Sequence, residues 1–216
     1  VNTSDLEVNL KILFKLAIDD GVLAVKERNP LIKRLSKSVS DMVLWNNFLQ
    51  NTLIDLAIYE AGPLLNQYVR FMDLLEQKGI LSRSVDVLPS KQVMKSRPAS
   101  AVLTRPEAAV LLSYSKIYLA KLLDGHKCLS HPLFEVHLAE YFPSMIHKDY
   151  QKLFKKHPLK DSITRTQLVN TLVSEMGIVF VTQVIDECAC HPEDVIIAYS
   201  LARQLLGIDG MYKEIM

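Results

Sequence analysis

The sequence lacks the glycine-rich loops with which many proteins bind nucleotides. It has only seven glycines in 216 residues, and none of them forms a G-x-G-x-x-G or a G-x-x-x-x-G-K-[ST] pattern. Without a glycine turn that leads into a helix, the chain has no visible means of holding the pyrophosphate of a dinucleotide. We therefore expect no catalytic residue, no cofactor-binding residue and no bound cofactor in these 216 residues.

An excess of charge and a long apolar run are also missing. The chain carries 25 basic and 24 acidic residues, a formal net charge of +1, which gives no electrostatic footprint for nucleic acid or an anionic membrane. The most apolar stretch, residues 108–123, is interrupted by Ser113, Tyr114, Ser115, Lys116 and Lys121. It falls short of the ~20 apolar residues that a membrane helix needs. We expect neither a nucleic-acid partner nor a membrane partner.

Cysteine is scarce, and its spacing excludes a disulfide framework. The three cysteines, Cys128, Cys188 and Cys190, are best explained as reduced thiols of a cytoplasmic protein. The run from Cys188 to His191 also allows a zinc site, but a structural zinc usually needs four ligands and Cys128 is distant in sequence. In the alternative that we favour, Cys188 packs as a small hydrophobe and His191 caps the helix that begins at Pro192.

A second loose cluster of possible metal ligands comprises His126, Cys128, His131 and His137. No pair among them has the i, i+4 spacing of a metal site on one helix face. Histidines in a loop before a helix are usually solvated or act as caps. We therefore predict no metal ligand anywhere in the chain.

Basic residues raise the question of an anion site. Arg97, Arg105 and Lys116 could bind an anion near a helix N-terminus, but carboxylate partners within the chain are the interpretation we favour. The basic run around His157 is followed by Asp161 and is typical of a solvated helix face.

The hydrophobic pattern is helical almost throughout, and it predicts an all-α fold. Apolar residues recur three or four apart in three early stripes, which end near Gly21, Gly62 and Gly79. Thr104 to Glu107 forms a capping box that opens a long helix. Further helices are predicted over 132–141, 143–156, 159–176, from about 178, and from Pro192.

The weakest pattern lies between residues 79 and 103, and it predicts the joint in the chain. We expect an irregular multi-helix bundle with two lobes, residues 21–95 and 104–216, joined near residues 96–103. No period of 20–50 residues repeats, so a helical-repeat array is not supported.

Several separate blocks resemble one family in order and spacing. They are the run from Leu103 to Lys116, Leu81-Ser82-Arg83 with Leu88-Pro89, Tyr141-Phe142-Pro143, His157 through Asn170, and Gly177 with Phe180. Together they are similar to the C-terminal region of the large bacterial NAD-specific glutamate dehydrogenases. The family usually has an arginine where this chain has Pro158.

The resemblance implies a whole protein that oxidises L-glutamate with NAD and water to 2-oxoglutarate, ammonia and NADH. The family's catalytic lysines, general acid and dinucleotide fold would lie upstream of Val1, in a catalytic domain of the same polypeptide. A chain that starts at Val1 rather than Met fits a piece cut from that larger, cytoplasmic protein. Residues 1–20 would be the returning helix of the catalytic unit, and we expect the whole protein to be a homo-oligomer.

Ser4 is the one candidate substrate-binding residue. The segment from Val1 to Glu7 is similar to the one that follows the Asn- and Gly-containing turn of glutamate dehydrogenases, where a matching serine helps to hold a substrate carboxylate. The chain departs from the smaller enzymes at Asp5 and Val8, where aromatic residues are common. The alternative is that Ser4 is only the N-cap of the first helix.

A second function fits the same composition. An autonomous helical module that binds a protein partner through an apolar groove also needs amphipathic helices with one face to spare. The reading frame separates the two hypotheses, because a glycine-rich dinucleotide segment upstream favours the enzyme and a start codon near Val1 excludes it.

Overall fold

The computed structural model of the chain describes residues 4–126, 129 and 131–208, and it forms helices without any strand in these ranges. The α-helices are α1 (Asp5–Asp19), α2 (Val25–Glu60), α3 (Leu65–Gln77), α4 (Lys91–Ser96), α5 (Arg105–Leu122), α6 (Glu135–Glu140), α7 (His147–Phe154), α8 (Lys160–Met176), α9 (Phe180–Cys188) and α10 (Pro192–Leu205). Single 3-10 turns lie at Ala99–Ala101, Pro132–Phe134 and Ser144–Ile146. The predicted all-α fold class is confirmed.

Local side chains determine where several helices begin. At α5 the predicted capping box is present, with the Thr104 amide donating to Glu107 Oε2 at 2.7 Å. Ser90 caps α4, where its Oγ accepts from the Val93 amide at 3.3 Å. Such contacts satisfy amides that have no partner within the helix, which is why these starts can be read from the sequence.

Helix α2 is longer than its apolar stripe indicates. The second apolar stripe of the sequence, which runs from Met42 to Leu56 and ends near Gly62, predicts only the later part of this helix. In the structure α2 begins at Val25 and contains Pro30. Residues 26–37 are rich in lysine and arginine, and only Leu31 and Leu35 in that segment are buried. Because two leucines in twelve residues make a weak periodic signal, the sequence pattern missed this half of the helix.

The described residues divide into two compact units. Unit 1 comprises residues 4–49 with 129 and 131–168, and unit 2 comprises residues 50–126 with 169–208. Each unit is therefore discontinuous in sequence, and the chain passes from one to the other inside α2 and inside α8. The predicted lobes were continuous stretches joined near residues 96–103, a segment that lies within unit 2. The boundaries between the units depend on which helices pack together, and the local composition of the sequence does not indicate this.

The core of unit 1 is built around α1. The α1 side chains Leu13, Phe14 and Ala17 are fully buried, and the edge of the Phe14 ring meets Tyr150 of α7 at a centroid distance of 5.6 Å. The rest of this core comes from both sequence segments of the unit: Leu6, Leu10, Leu23, Leu31, Leu35, Leu138, Phe142, Ile146, Leu153, Phe154 and Ile163. One face of α1 is thus part of the core of the unit, while the opposite face, which carries Val8 and Lys15, is exposed.

The core of unit 2 lies among α3, α5, α9 and α10. Tyr68, Phe71, Met72 and Leu75 of α3 are buried, and the Phe71 ring meets Tyr118 of α5 edge-on at a centroid distance of 6.4 Å.

Among the helices of the described ranges, none is long and apolar enough to cross a bilayer alone. Helices α8 and α9 together pass that test of length and composition, with an 81° bend between them.

Candidate functional site

Ser4, the predicted substrate-binding residue, is the N-cap of α1. Its Oγ accepts a hydrogen bond from the Glu7 amide at 3.2 Å, and its backbone is extended, so the capping role is confirmed. The bond uses a lone pair of the hydroxyl oxygen, while the proton of a hydroxyl can still be donated to another acceptor. The cap and a carboxylate contact are therefore chemically compatible. Carboxylate binding by Ser4 stays a prediction.

A groove of about 350 Å³ opens beside Ser4, between α1 and α2. Its walls are mostly aliphatic, with hydroxyl groups and one carboxylate at the edge; the lining residues are Ser4, Glu7, Leu10, Ile32, Leu35, Ser36, Val39, Ser40, Val43 and Leu44. Glu7 is neutralised by Lys11 at 2.7 Å. No lysine or arginine is among these described lining residues. Because a dicarboxylate such as glutamate needs cationic partners, the groove by itself suits an apolar occupant.

The Cys188 to His191 segment does not gather into a metal site. Cys188 is exposed, so the prediction that it packs as a small hydrophobe is wrong. The chain turns away there because Ala189 adopts a left-handed conformation, with φ 49°. His191 does occupy the N-cap position of α10, but there its backbone oxygen accepts from the Asp194 amide at 3.1 Å, and its side chain makes no capping bond. The predicted side-chain cap is also wrong.

The second histidine cluster is dispersed over the fold. His131 Nδ1 accepts from the Leu133 amide at 3.2 Å, which confirms its predicted role as a cap. His137 is buried in α6, where it stacks on Phe134. Cys128 lies outside the described residues. Among the residues that are described, no three His, Cys, Asp or Glu side chains come together as metal ligands.

The arginines of the possible anion site have carboxylate partners, as predicted. Arg97 makes a bidentate pair with Glu107, with nitrogen–oxygen distances of 2.7 and 3.0 Å, and it also donates to the Val102 oxygen. Burial raises the pKa of Glu107, but the bonds from Arg97 and Thr104 outweigh it and hold that pKa below its usual value. Arg105 pairs with Asp55. Both guanidinium groups are thus satisfied within unit 2.

Lys116 differs from these arginines. It is half-buried, burial lowers its pKa, and it forms no ion pair within the described ranges. A partly desolvated lysine with a weakened charge is a poor anion ligand. Among the described residues, the predicted carboxylate partner of Lys116 is not found.

Two acidic groups meet inside unit 2 without forming a binding site. The Tyr68 hydroxyl is buried with no hydrogen-bond partner among the described residues. Its pKa is raised by burial and then by the nearby charge of Glu60, whose own pKa burial raises. The gap beside them, which Gly177 also lines, has no room for a water molecule. We assign no ligand to it.

Sequence reasoning missed a buried polar network in unit 1. His157, expected on a solvated helix face, is buried, and its Nε2 donates to the Asn9 backbone oxygen at 3.2 Å. Its Nδ1 accepts from the Leu159 amide, so the ring is a neutral linker between α1 and the start of α8. Asn9 Nδ2 donates to the Tyr141 hydroxyl at 2.7 Å. A histidine directly before a proline and a helix start was the signal that could have suggested a cap.

Comparison with known proteins places the chain in a family. The family model described as "Glutamate dehydrogenase, C-terminal" matches residues 100–216, and the model "Bacterial NAD-glutamate dehydrogenase, catalytic domain" matches residues 1–57. The chain belongs to the glutamate dehydrogenase C-terminal family. The resemblance that was drawn from the sequence blocks is confirmed.

Curated relatives match over the whole chain. It is 34% identical to the NAD-specific glutamate dehydrogenase of Halomonas elongata, 32% to that of Pseudomonas aeruginosa and 27% to that of Mycobacterium tuberculosis. All 216 residues are aligned in each case, and they span 13% of the length of each relative. The chain therefore corresponds to a small part of these enzymes.

The two family matches meet inside unit 1. The catalytic-domain match covers α1 and nearly all of α2, whereas α6 and α7 belong to the glutamate dehydrogenase C-terminal match. Within the unit, α1 packs against α7, and Lys156 pairs with Asp20 at 2.5 Å. Segments that separate family models assign to different regions thus share one hydrophobic core.

Proposed function

We propose that the chain is a non-catalytic helical domain of an NAD-dependent glutamate dehydrogenase. In the full-length protein the reaction would convert L-glutamate, NAD and water to 2-oxoglutarate, ammonia and NADH. Hydride transfer needs a fold that holds the nicotinamide against the substrate α-carbon. That fold and the catalytic groups would belong to the upstream catalytic domain of the same polypeptide, and NAD would bind there. The whole protein would act in the cytoplasm as a homo-oligomer.

The shared core of unit 1 is the observation that carries this proposal. If α1 is the last part of a catalytic domain, its burial against α7 ties the C-terminal helices to that domain through side-chain packing. The buried bond from His157 to the Asn9 backbone adds a directional contact between the same two segments. The domain would then hold α1 in a fixed position by packing, together with Ser4 and the groove that opens beside it.

The test is a comparison of two proteins under one assay. The full-length polypeptide should reduce NAD in the presence of L-glutamate, followed as NADH absorbance, and the 216-residue chain should not. Calorimetry with NADH gives a second measurement on the chain alone. Micromolar binding of NADH to the 216 residues would contradict the assignment of the dinucleotide site to the upstream domain.

A further inference from the structure

Helix α2 carries an exposed apolar surface in its middle. Leu44, Trp45 and Phe48 are 63%, 45% and 57% exposed, and the Trp45 and Phe48 rings stack at a centroid distance of 5.4 Å. We call these three side chains the α2 ridge. Trp45 is the single tryptophan of the chain. Exposed clusters of large aromatic side chains are typical of protein interfaces, where tryptophan is enriched among the residues that contribute most to binding.

The ridge lies in a stretch of helix without charge. From Met42 to Ile54 the sequence contains no Asp, Glu, Lys, Arg or His, although most of its side chains are at least partly exposed. A helix face in permanent contact with water normally carries charged residues, whereas the centres of interfaces are depleted of them. The composition therefore indicates a covered surface, not a solvated one.

The ridge continues into the groove beside Ser4. Leu44 is part of the ridge and also lines the groove, and Val43, the residue before it, lines the groove as well. The two features form one apolar surface that runs from the start of α1 to the middle of α2, all of it within unit 1. This surface is larger than the ridge alone and contains a concave part that a side chain from another domain can enter.

The apolar face of α1 cannot serve the same purpose. Leu6, Leu10, Leu13 and Ala17 are each at most 7% exposed and are already covered within unit 1. As the returning helix of a catalytic unit, α1 is expected to pack with this face against both the catalytic domain and the helices after Gly21. The core shows the second contact, with Leu23, Leu31 and Leu35, and the burial leaves no free area for the first. The ridge and its groove are one exposed apolar surface on the segment matched by the catalytic-domain model. A second groove on the same segment is lined by Val8, Ile12, Ile18 and Val25 together with three cationic residues, Lys11, Lys15 and Arg28, so it is less apolar.

We infer that the α2 ridge and its groove form the docking surface for the preceding part of the catalytic domain on the same polypeptide. This inference rests on the proposed function. It commits to that occupant because the surface lies wholly within residues 1–57, which match the catalytic domain, and because the chain spans 13% of the length of its relatives. The docked face should be apolar and uncharged, to match residues 42–54.

Hydroxyl-radical footprinting of the unmodified full-length protein tests the inference, because radicals label exposed side chains without any substitution. Trp45 and Phe48 should be at least tenfold less modified than their exposure in this structure and their intrinsic reactivity predict. Met145, 60% exposed in the same unit, is the internal control and should be modified as expected. Protection factors for Trp45 and Phe48 that equal that of Met145 overturn the inference.

The second copy of the chain is the competing occupant. Protection that disappears on dilution into the monomeric range would place a copy on the ridge and overturn the inference, whereas protection that persists supports docking within one polypeptide. The NADH assay is read separately. If the ridge is protected but the full-length protein does not oxidise glutamate, the proposed function is wrong. If the protein oxidises glutamate but the ridge is not protected, only the docking surface is wrong.

A pair of double variants adds a functional readout. In the full-length protein, Trp45→Ser with Phe48→Ser should lower the melting temperature and the NADH production rate. Leu201→Ser with Leu205→Ser changes two exposed α10 leucines and should alter neither. Equal effects of the two pairs would overturn the assignment of the ridge.

Discussion

The two units stabilise their polar groups in different ways. Unit 1 buries neutral groups, His157 and Asn9, and leaves its ion pairs at the surface, where the Lys155 and Glu135 side chains are 62% and 46% exposed. Unit 2 contains an ion pair that is mostly buried, because the Arg203 and Glu175 side chains are only 12% and 15% exposed and lie 2.7 Å apart. The helices of unit 1 are thus connected by a buried network of neutral hydrogen-bonding groups, and those of unit 2 by ion pairs.

The difference means that acid and substitution should affect the units unequally. A neutral imidazole nitrogen that accepts a hydrogen bond from an amide loses that bond when it takes up a proton. A carboxylate in an ion pair, in contrast, stays charged to lower pH. Exposed ion pairs contribute little to stability, whereas the loss of one partner from a buried pair costs much more. Local stability within each unit can therefore be probed by amide hydrogen exchange.

The largest effect is expected from the apolar core of unit 1. Leu10→Ala removes a buried side chain from the face of α1 and should cost about 2–5 kcal/mol, through the lost burial and the cavity left behind. In the full-length enzyme it should also lower glutamate oxidation, because α1 would be shared with the catalytic domain. Urea unfolding and the NADH assay measure the two effects.

The control for that change lies on the same helix. Val8 is 45% exposed, so Val8→Ala should change the free energy of unfolding by roughly 0.5 kcal/mol or less. Hydrogen exchange should quicken mainly in α1 and α7 for Leu10→Ala. Uniform loss of protection in both units would show that they unfold as one, and the comparison between them would not hold.

The ion pair of unit 2 gives the next largest effect. Glu175→Gln deprives Arg203 of its carboxylate partner and weakens the acceptor of the Tyr199 hydroxyl. The pair is not fully buried, so we expect about 2–3 kcal/mol, below the full cost of breaking a buried pair. The matched change in unit 1, Glu135→Gln, breaks an exposed pair and should cost less than about 1 kcal/mol. Equal costs would remove the distinction between the units.

The sequence predicts those parts of the fold that local side chains determine. The helix starts at Ser4 and Thr104 follow from caps a few residues long, and the end of α8 follows from Gly177, which adopts a positive φ of 85°. The first half of α2 and the division into units were not predictable in this way. They depend on which helices pack together, because in the stretch rich in lysine and arginine only Leu31 and Leu35 are buried by that packing.

The candidate site shows the same limit. Ser4 was found because a cap and a family resemblance both coincide on one residue. The groove beside it was not, because it is formed by side chains of two helices that are about thirty residues apart in sequence. His157 was assigned to a solvated face from its lysine neighbours, whereas in the structure it is 1% exposed and its ring is bonded to the Asn9 backbone.

A smaller effect is expected from the neutral histidine of unit 1. Burial lowers the pKa of His157, and the bond to the Asn9 oxygen opposes this only in part. The folded state therefore binds fewer protons than the unfolded one, so the stabilisation is complete above the ordinary histidine pKa near 6.5 and is lost as pH falls below it. The slope from this one group cannot exceed about 1.4 kcal/mol per pH unit.

The measurement compares stability against pH for the wild type and His157→Gln, which cannot titrate. Between pH 7 and 5 the wild type should lose stability more steeply, while groups common to both proteins, such as Glu60, cancel in the difference. In unit 2 the lowered pKa of Glu107 acts in another window, since its contribution is lost only as pH falls below about 4.5. Parallel curves above pH 5 would show that His157 does not titrate with folding.

The smallest expected effect decides between the two roles of Ser4. Ser4→Ala removes the N-cap of α1 and should cost about 1 kcal/mol, as should Ser90→Ala, which removes the corresponding cap of α4 in unit 2. A carboxylate contact would add a raised KM for glutamate in the Ser4 variant of the full-length enzyme, with no such rise for Ser90→Ala. Ser4→Asp sharpens the test, because aspartate also caps helices but would repel a substrate carboxylate. If Ser4→Asp keeps both stability and KM, Ser4 is a cap alone; if Ser4→Ala changes neither quantity, both roles are wrong.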